Sequence, residues 1–382
     1  MTPRFWPALL TSCLLMAPLA ALADAAEEPS LAASATTKPT AHLQQVQLQG
    51  ASSMQRERKT LAQIFKAQDL FHKHHHFAPQ AALTYRVYAR QSADDLARAD
   101  LGLLHQEGRT PVQLDEQQSF VADPAWRVLD PEIEIRSRLA DGRVTWRPDI
   151  HTPGWPEGER RLGDLRLQCR VAFASGLART DPAWIRVLGR LFGAADEDCA
   201  KPDWSPSNFA ERAIFSVTLV HAERRLRLNQ RNLHGLFDDE GADYDWGFLL
   251  RDRMFRLPLG DLSWPDDTRV VFEYMDSADP SASNGLQNSN HRFAEAARVL
   301  QPGVSGAEEI GALMGKTRVK VLRFQSGMQI WRYWQAAPAR AAAALPVSAG
   351  APSPMSDERG TELVLLLNAE GLLHKLAFTE RR

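Results

Sequence analysis

The chain reads as a mainly β protein with a C-terminal α+β module. Three observations predict this. Short apolar runs that alternate with polar residues recur from Ala82 to Ser175 and again over about 210–276. Turn residues punctuate the first region at Gly108, Asp115-Glu116, Asp123-Pro124, Asp141-Gly142 and Pro153-Gly154. After residue 291 the pattern changes to a capped helix followed by four strand candidates. Composition fits a globular protein: of 382 residues, 44% are hydrophobic and 24% charged, which excludes a wholly disordered, collagen-like or multi-span membrane chain. The 45 Lys and Arg against 47 Asp and Glu leave no basic excess to neutralise phosphates, so nucleic acid is not an expected partner. Three cysteines are too few for a disulfide-dense scaffold or a multi-cysteine zinc array.

Residues 1–23 have the form of a secretory signal peptide. Arg4 supplies a positive start, and an apolar run from Phe5 to Leu22 follows, broken by Pro7 and Pro18. Ala21-Leu22-Ala23 is a small-x-small cleavage site before Asp24. Leu10-Thr11-Ser12-Cys13 resembles a lipobox, but the apolar run continues through Leu14-Leu15-Met16, which favours cleavage near Ala23 over lipidation of Cys13. Cleavage removes Arg4 and Cys13, so the net charge moves from −2 to −3 and two cysteines remain, Cys169 and Cys199. An even pair in an exported chain predicts a disulfide, with two buried free thiols as the alternative. The bridge would close a loop of about 30 residues and stabilise by about 3–4 kcal/mol. No other run of about 18 apolar residues occurs.

The elements follow in order. Residues 24–55 are rich in Ala, Ser, Thr, Gln and Pro and read as a flexible tether. Residues 56–80 hold one helix, with Leu61, Ile64, Phe65 and Leu70 near helical spacing, and then a His-rich hinge. Over 82–175, strands are expected at Leu83–Tyr88, Leu101–Leu103, Val112–Leu114, Glu132–Leu139, Val144–Trp146 and Leu165–Phe173, enough for a β-sandwich-like module. Residues 176–276 form a helix, Pro182 to Phe192, plus a second β-rich module with strands at Ala213–His221, Leu226–Leu228, Phe248–Leu250, Phe255–Leu257 and Val270–Tyr274. The phrase Leu162-Gly163-Asp164-Leu165 recurs as Leu259-Gly260-Asp261-Leu262, which raises duplication of the two sandwich-like modules against a chance match. Residues 277–290 read as a linker, and 336–360 as a disordered insertion within the last module, 291–382.

In that module Ser305 stands three residues before Glu308, the capping-box spacing, ahead of a helix over Ala307–Met314 that Gly315 closes. Strands follow at Arg318–Phe324, Met328–Tyr333, Leu363–Leu367 and Leu372–Ala377. The motif residues Gly303, Leu313, Gly315, Lys316, Gly327, Trp331, Tyr333, Asn368 and Gly371 make this stretch, about 80 residues, resemble the SmpA/BamE-like domains of the bacterial outer membrane. Thr317 stands where that family usually has Pro, and the 336–360 insertion separates strands normally joined by a short loop. The resemblance implies helices on one face of a three- or four-stranded antiparallel sheet. It also implies a periplasm-facing adaptor that binds proteins or lipid head groups in a Gram-negative envelope, and it brings no catalytic residues.

Few residues suggest chemistry. His72, His74, His75 and His76 are dense enough to capture a transition metal, but neighbours in one segment cannot all face one ion, so a solvated basic hinge is the expected reading. Asp238-Asp239-Glu240-Gly241-Ala242-Asp243 lacks the alternating ligands and terminal Glu of an EF-hand. Trp146, Trp155, Trp264, Trp331 and Trp334 either line a sugar- or peptide-binding face or fill cores. Trp331 and Tyr333 share one side of their strand, which suits docking against another protein and equally against the module's own helix. No serine-hydrolase elbow, zincin, dinucleotide or Walker pattern occurs.

The expectation is therefore a non-enzymatic, exported envelope protein without cofactor. Two β-sandwich-like modules precede a BamE-like domain. Its partners would be other envelope proteins at the periplasmic side of the outer membrane, where peripheral membrane association is compatible with the resemblance. The alternative is a secreted or periplasmic inhibitor, or a carbohydrate- or peptide-binding protein.

Overall fold

A computed structural model describes residues 59–90, 92–178, 199–201, 206–235, 248–277, 286, 289–337 and 359–381, all within one compact unit, 51–382. The signal segment with Cys13, the tether, the helix expected at Pro182–Phe192 and the acidic loop Asp238–Asp243 lie outside the described residues.

The first helix, α1 (Leu61–His74), starts where Gln63 Oε1 accepts a hydrogen bond from the Thr60 amide at 3.0 Å, the reach-back half of a capping box. Its buried residues Leu61, Ile64, Ala67 and Phe71 recur at three- and four-residue steps and face the first core. Strands β1 (Ala82–Ala89), β2 (Leu101–His105), β3 (Gly108–Pro111), β4 (Ser119–Phe120), β5 (Glu134–Ser137) and β6 (Val144–His151) form two antiparallel three-stranded sheets, ordered β4-β1-β6 and β3-β2-β5. The short helix α2 (Asp94–Ala97) lies between β1 and β2. On β1 and β6, Tyr85, Val87, Trp146 and Ile150 face the core, while the alternate residues Thr84, Arg86, Asp149 and His151 belong to the opposite face.

The strand expected at Leu165–Phe173 is instead the helix α3 (Leu162–Ala174). Leu167 and Val171, one turn apart, enter the first core, whereas Leu162, Leu165 and Cys169 enter a second core. A helix buried on two sides carries apolar residues all round. Its side chains therefore alternate in sequence by coincidence, at every second position from 165 to 173, and mimic the strand period. The second core lies under a four-stranded antiparallel sheet, called the second sheet after that core and ordered β10-β9-β12-β7, made of β7 (Glu159–Arg161), β9 (Ile214–His221), β10 (Arg224–Arg227) and β12 (Arg269–Tyr274). A two-stranded ladder of β8 (Ser207–Phe209) and β11 (Met254–Arg256) adjoins it. Phe248–Arg253 is a 3-10 turn that leads into β11, not a strand. The boundary expected at 175–176 falls just after α3, which serves both cores, and β7 pairs with β12 across it.

The recurring Leu-Gly-Asp-Leu phrase has two settings. Gly163 opens α3, and a Cβ there would lie 2.2 Å from the Phe77 carbonyl oxygen. Gly260 sits in a turn, where a Cβ would lie 2.4 Å from the Lys201 carbonyl oxygen. Arg166 joins the two copies: Nε and Nη2 donate to the Leu259 and Asp261 carbonyls, each at 2.8 Å, and Nη1 to Asp266 Oδ1 at 2.5 Å. Cys169 and Cys199 form the expected disulfide and tie the residue-199 turn to α3.

The last module places α4 (Arg292–Val299) and α5 (Ala307–Met314) on one face of an antiparallel sheet ordered β13-β14-β15-β16. Its strands are β13 (Val319–Arg323), β14 (Gln329–Ala336), β15 (Gly360–Leu367) and β16 (Leu373–Arg381). Helix α5 has the expected bounds, but its N-cap is Gly306, not Ser305. Ser305 Oγ instead accepts from the Gln301 amide at 3.0 Å and closes the preceding turn. Thr317 donates its hydroxyl to the Met314 carbonyl at 2.6 Å and satisfies one of the last carbonyls of α5. Every residue of β15 is buried. Leu363, Leu365 and Leu367 meet the helices, while Val364 and Leu366 meet a further cluster that includes Phe215 of β9 and Met275 just after β12. A strand covered on both faces reads as a continuous apolar run.

His234 joins the second sheet to the C-terminal one. It is fully buried at a left-handed φ of 61°, with its Nε2 2.7 Å from the Ile214 carbonyl, its Nδ1 2.8 Å from Gln230 Nε2, and the Phe324 ring in a T-shaped contact with it. Burial holds its pKa down, to about 4, so the ring is neutral near pH 7.

These contacts set four expected outcomes. Replacing both Cys169 and Cys199 by Ser is expected to lower the unfolding free energy by about 3–4 kcal/mol in denaturant titrations. Gly163→Ala is expected to destabilise by roughly 1–3 kcal/mol through its clash with backbone. In the same titrations Gly311→Ala, on a helix position with nothing within 4 Å, should stabilise by about 0.5–1 kcal/mol. Because the folded-state pKa of His234 is depressed, its contribution is intact above about pH 6.5 and is lost as pH falls toward 4. Unfolding free energy should drop by roughly 3 kcal/mol on this account over that window, and His234→Gln should flatten the drop.

Candidate functional site

The outward polar face of β1 and β6 forms the floor of a cleft of about 720 Å³. The turn after β6, residues 152–158, makes one wall. Ala210, Glu211, Phe272 and Tyr274, from the second sheet and its approach, make the other. Gly154 and Gly158 adopt left-handed φ values of 82° and 77°, which lets the Pro153-Gly154-Trp155-Pro156 turn fold over the floor and leaves Trp155 partly exposed on its wall.

At the floor Asp149 is almost completely buried and gathers three basic groups. Arg86 Nε lies 3.1 Å from Oδ2, and Arg160 Nη2 and His151 Nε2 lie 3.3 and 3.6 Å from Oδ1. Burial alone would raise the Asp149 pKa, but Arg160, His151 and Arg86 outweigh it and hold the carboxyl below the usual range. The register explains the grouping. Thr84 of β1 sits opposite Asp149 of β6, Arg86 is two residues along the same face, and His151 follows Asp149 by two. Arg160 arrives from β7 and also donates to the Ile150 carbonyl and, at 3.0 Å, to Gln168 Oε1 on α3.

Glu211 closes the cluster from the far wall. Its Oε1 lies 3.5 Å from Arg86 Nη2 and 3.6 Å from His151 Nε2, and its side chain is 41% exposed. The positive charge of Arg160, then burial, lowers the His151 pKa to about 4, so His151 is a neutral imidazole at neutral pH. The nearby hydroxyls are engaged elsewhere: Thr84 Oγ1 donates to the Asp149 carbonyl at 3.1 Å and Thr152 Oγ1 to Asp164 Oδ1 at 2.7 Å. Next to the cleft the Arg212 guanidinium lies 4.2 Å over the Tyr274 ring, 3.0 Å from Glu157 and 3.3 Å from Asp276.

The residues singled out from sequence fall elsewhere, with one exception. His72 and His74 are on α1 and His75 and His76 in the turn after it. His75 Nε2 lies 3.3 Å from the Ala81 carbonyl and the His76 ring packs on Phe77. No group of three His, Cys, Asp or Glu among the described residues could hold a metal ion. Trp146 and Trp264 are buried in the first and second cores. Tyr333 is no surface residue: it is 2% exposed, packs against Phe293 of α4 and lies under that helix, with the partly buried Trp331 beside it. The apolar face that the two residues share is thus covered by the module's own helix. Gly303, Gly315 and Gly371 have left-handed φ values, and Lys316 is exposed after α5. Trp155 is the exception, the one indole of the five that lines the cleft.

Arg86, Asp149, His151, Arg160 and Glu211 were not visible as a group in the sequence. The only local signal is the i, i+2 placement of Asp149 and His151 on a strand whose other face is apolar. No helix among the described residues is long and apolar enough to cross a membrane. Neither family models, nor curated proteins, nor solved structures match this chain.

Proposed function

We propose that this chain is an exported, non-enzymatic binding protein of the cell envelope that holds a peptide or carbohydrate in the cleft between the sheets β4-β1-β6 and β10-β9-β12-β7. One observation carries the reading: a cleft of about 720 Å³, within the usual range for ligand sites, is lined by charged groups in fixed mutual pairs and by the partly exposed Trp155. Export is supported by the signal-like residues 1–23 and by the disulfide. Binding fits better than catalysis because Asp149 engages both arginines and His151, and because the hydroxyls of Thr84 and Thr152 are bonded away from His151.

A second reading is an adaptor at the periplasmic face of the outer membrane, built on two sandwich-like modules and a BamE-like C-terminal domain. The arrangement of α4 and α5 on one face of a four-stranded antiparallel sheet favours it. Against it, both faces of that sheet are covered within the chain.

A thermal-shift screen of peptides and oligosaccharides against the mature protein tests the first reading. At least one ligand is expected to raise the melting temperature of the parent protein and to lose that effect in Trp155→Ala. A ligand that acts equally on both proteins would remove the cleft as its seat. Co-purification of a stable envelope partner with Trp155→Ala as well as with the parent would favour the adaptor.

A further inference from the structure

The charges of the cleft are sorted by depth. Its two lining arginines, Arg86 and Arg160, are at most 16% exposed in their side chains and both lie on the buried Asp149. The exposed charges among its lining residues are carboxylates, Asp115, Glu157 and Glu211, and the exposed guanidinium next to them, Arg212, is already held by Glu157 and Asp276. Glu211 makes both of its contacts through Oε1, with Arg86 at 3.5 Å and with neutral His151 at 3.6 Å. Glu159, deeper in the wall, is matched by Arg269 outside the cleft.

An incoming anion would therefore meet carboxylates first and would have to displace Asp149 to reach a guanidinium. An incoming cation meets exposed carboxylates and the indole of Trp155 within the same cleft. One cation is already held in this way beside the cleft: Arg212 lies over Tyr274 of one wall and against Glu157 of the other, and against Asp276. That guanidinium belongs to the chain itself, and it demonstrates the chemistry that the aromatic and acidic wall accepts.

We infer that the cleft takes a ligand bearing a guanidinium or ammonium group, the side chain of an arginine or lysine in a peptide, with Glu211 as its principal counter-charge and Trp155 as its stacking surface. The inference rests on the reading of the cleft as the ligand seat and narrows it to cationic peptides.

Calorimetric titration of the mature protein with three probes tests it: an acetylated Gly-Arg-Gly amide, the matching Gly-Glu-Gly amide, and a neutral disaccharide. The arginine probe is expected to bind, to weaken about tenfold in Glu211→Gln, and to weaken further as salt rises. It should also weaken in Trp155→Ala. Trp155-dependent binding of the glutamate probe or the disaccharide, with no binding of the arginine probe, would overturn the cationic ligand and leave the cleft reading standing. Arginine-probe binding unchanged by Glu211→Gln would overturn the assigned counter-charge and with it the inference. If none of the three binds, or if none depends on Trp155, both readings fall. Spermidine as a fourth titrant separates a peptide side chain from a free polyamine: tighter, Trp155-dependent binding of spermidine would overturn the peptide assignment.

Discussion

Helix α3 is the constraint on which the first two thirds of the structure depends. It is buried on two sides, so neither the first nor the second core is complete without it. Its N-terminal turn is fixed by Asp164, which accepts from the Thr152 amide and hydroxyl at 2.8 and 2.7 Å and so ties α3 to the turn that walls the cleft. Its middle is held by Arg166 on two carbonyls of the 259–261 turn, and by the bridge from Cys169. A buried guanidinium is tolerated here because Asp266 and those carbonyls replace the water it gives up. The cleft inherits this rigidity. Gln168, on the same helix, accepts from both Arg160 and the Ile150 amide, so α3 also sets the position of the floor.

The C-terminal module is joined to the rest by a different means. Apolar contacts of Leu322, Ile330 and Leu366 with Phe215 and Met275 are interleaved with buried ionic groups. Arg332 is bonded to Glu362 at 2.6 Å and to Asn229 at 2.8 Å, and Lys375 donates to the Tyr274 carbonyl at 2.6 Å. Each of these charges is nearly removed from water, so each makes the docked register specific: a shifted sheet would leave an ion unpaired. Tyr274 contributes its carbonyl to that joint while its ring faces the cleft, which places the two features on opposite sides of one residue.

How much of this was legible depended on how many sides of an element are buried. Helix α1 and strand β9 are legible because one face of α1 is apolar and the strand period of β9 is regular, and α5 because Gly315 marks its end. Helix α3 carries a strand-like pattern because apolar residues required by two cores erase the helical stripe and leave an alternation. Helix α4 was not anticipated: only eight residues long, it follows a stretch poor in large apolar residues, and its cap is the unusual acceptor His291 Nδ1. The disulfide is legible from the even pair of cysteines that remains once residues 1–23 are read as a signal peptide. The cleft is not, because its charged residues come from β1, β6, β7 and the approach to β9, and pairing between strands so distant leaves no mark in local pattern.

The ladder between β14 and β15 stays in register up to the pair Ala336 and Gly360, and the Ala337 amide still reaches the Arg359 carbonyl beyond it. The ends of the Ala/Pro/Ser-rich segment are thus fastened by backbone bonds that do not depend on what lies between them. Closure entropy grows only with the logarithm of loop length, so doubling such a segment costs about 0.6 kcal/mol. The fold can therefore accept wide variation in length and composition at this hairpin while its most buried strand stays unchanged, and related chains are free to diverge there first.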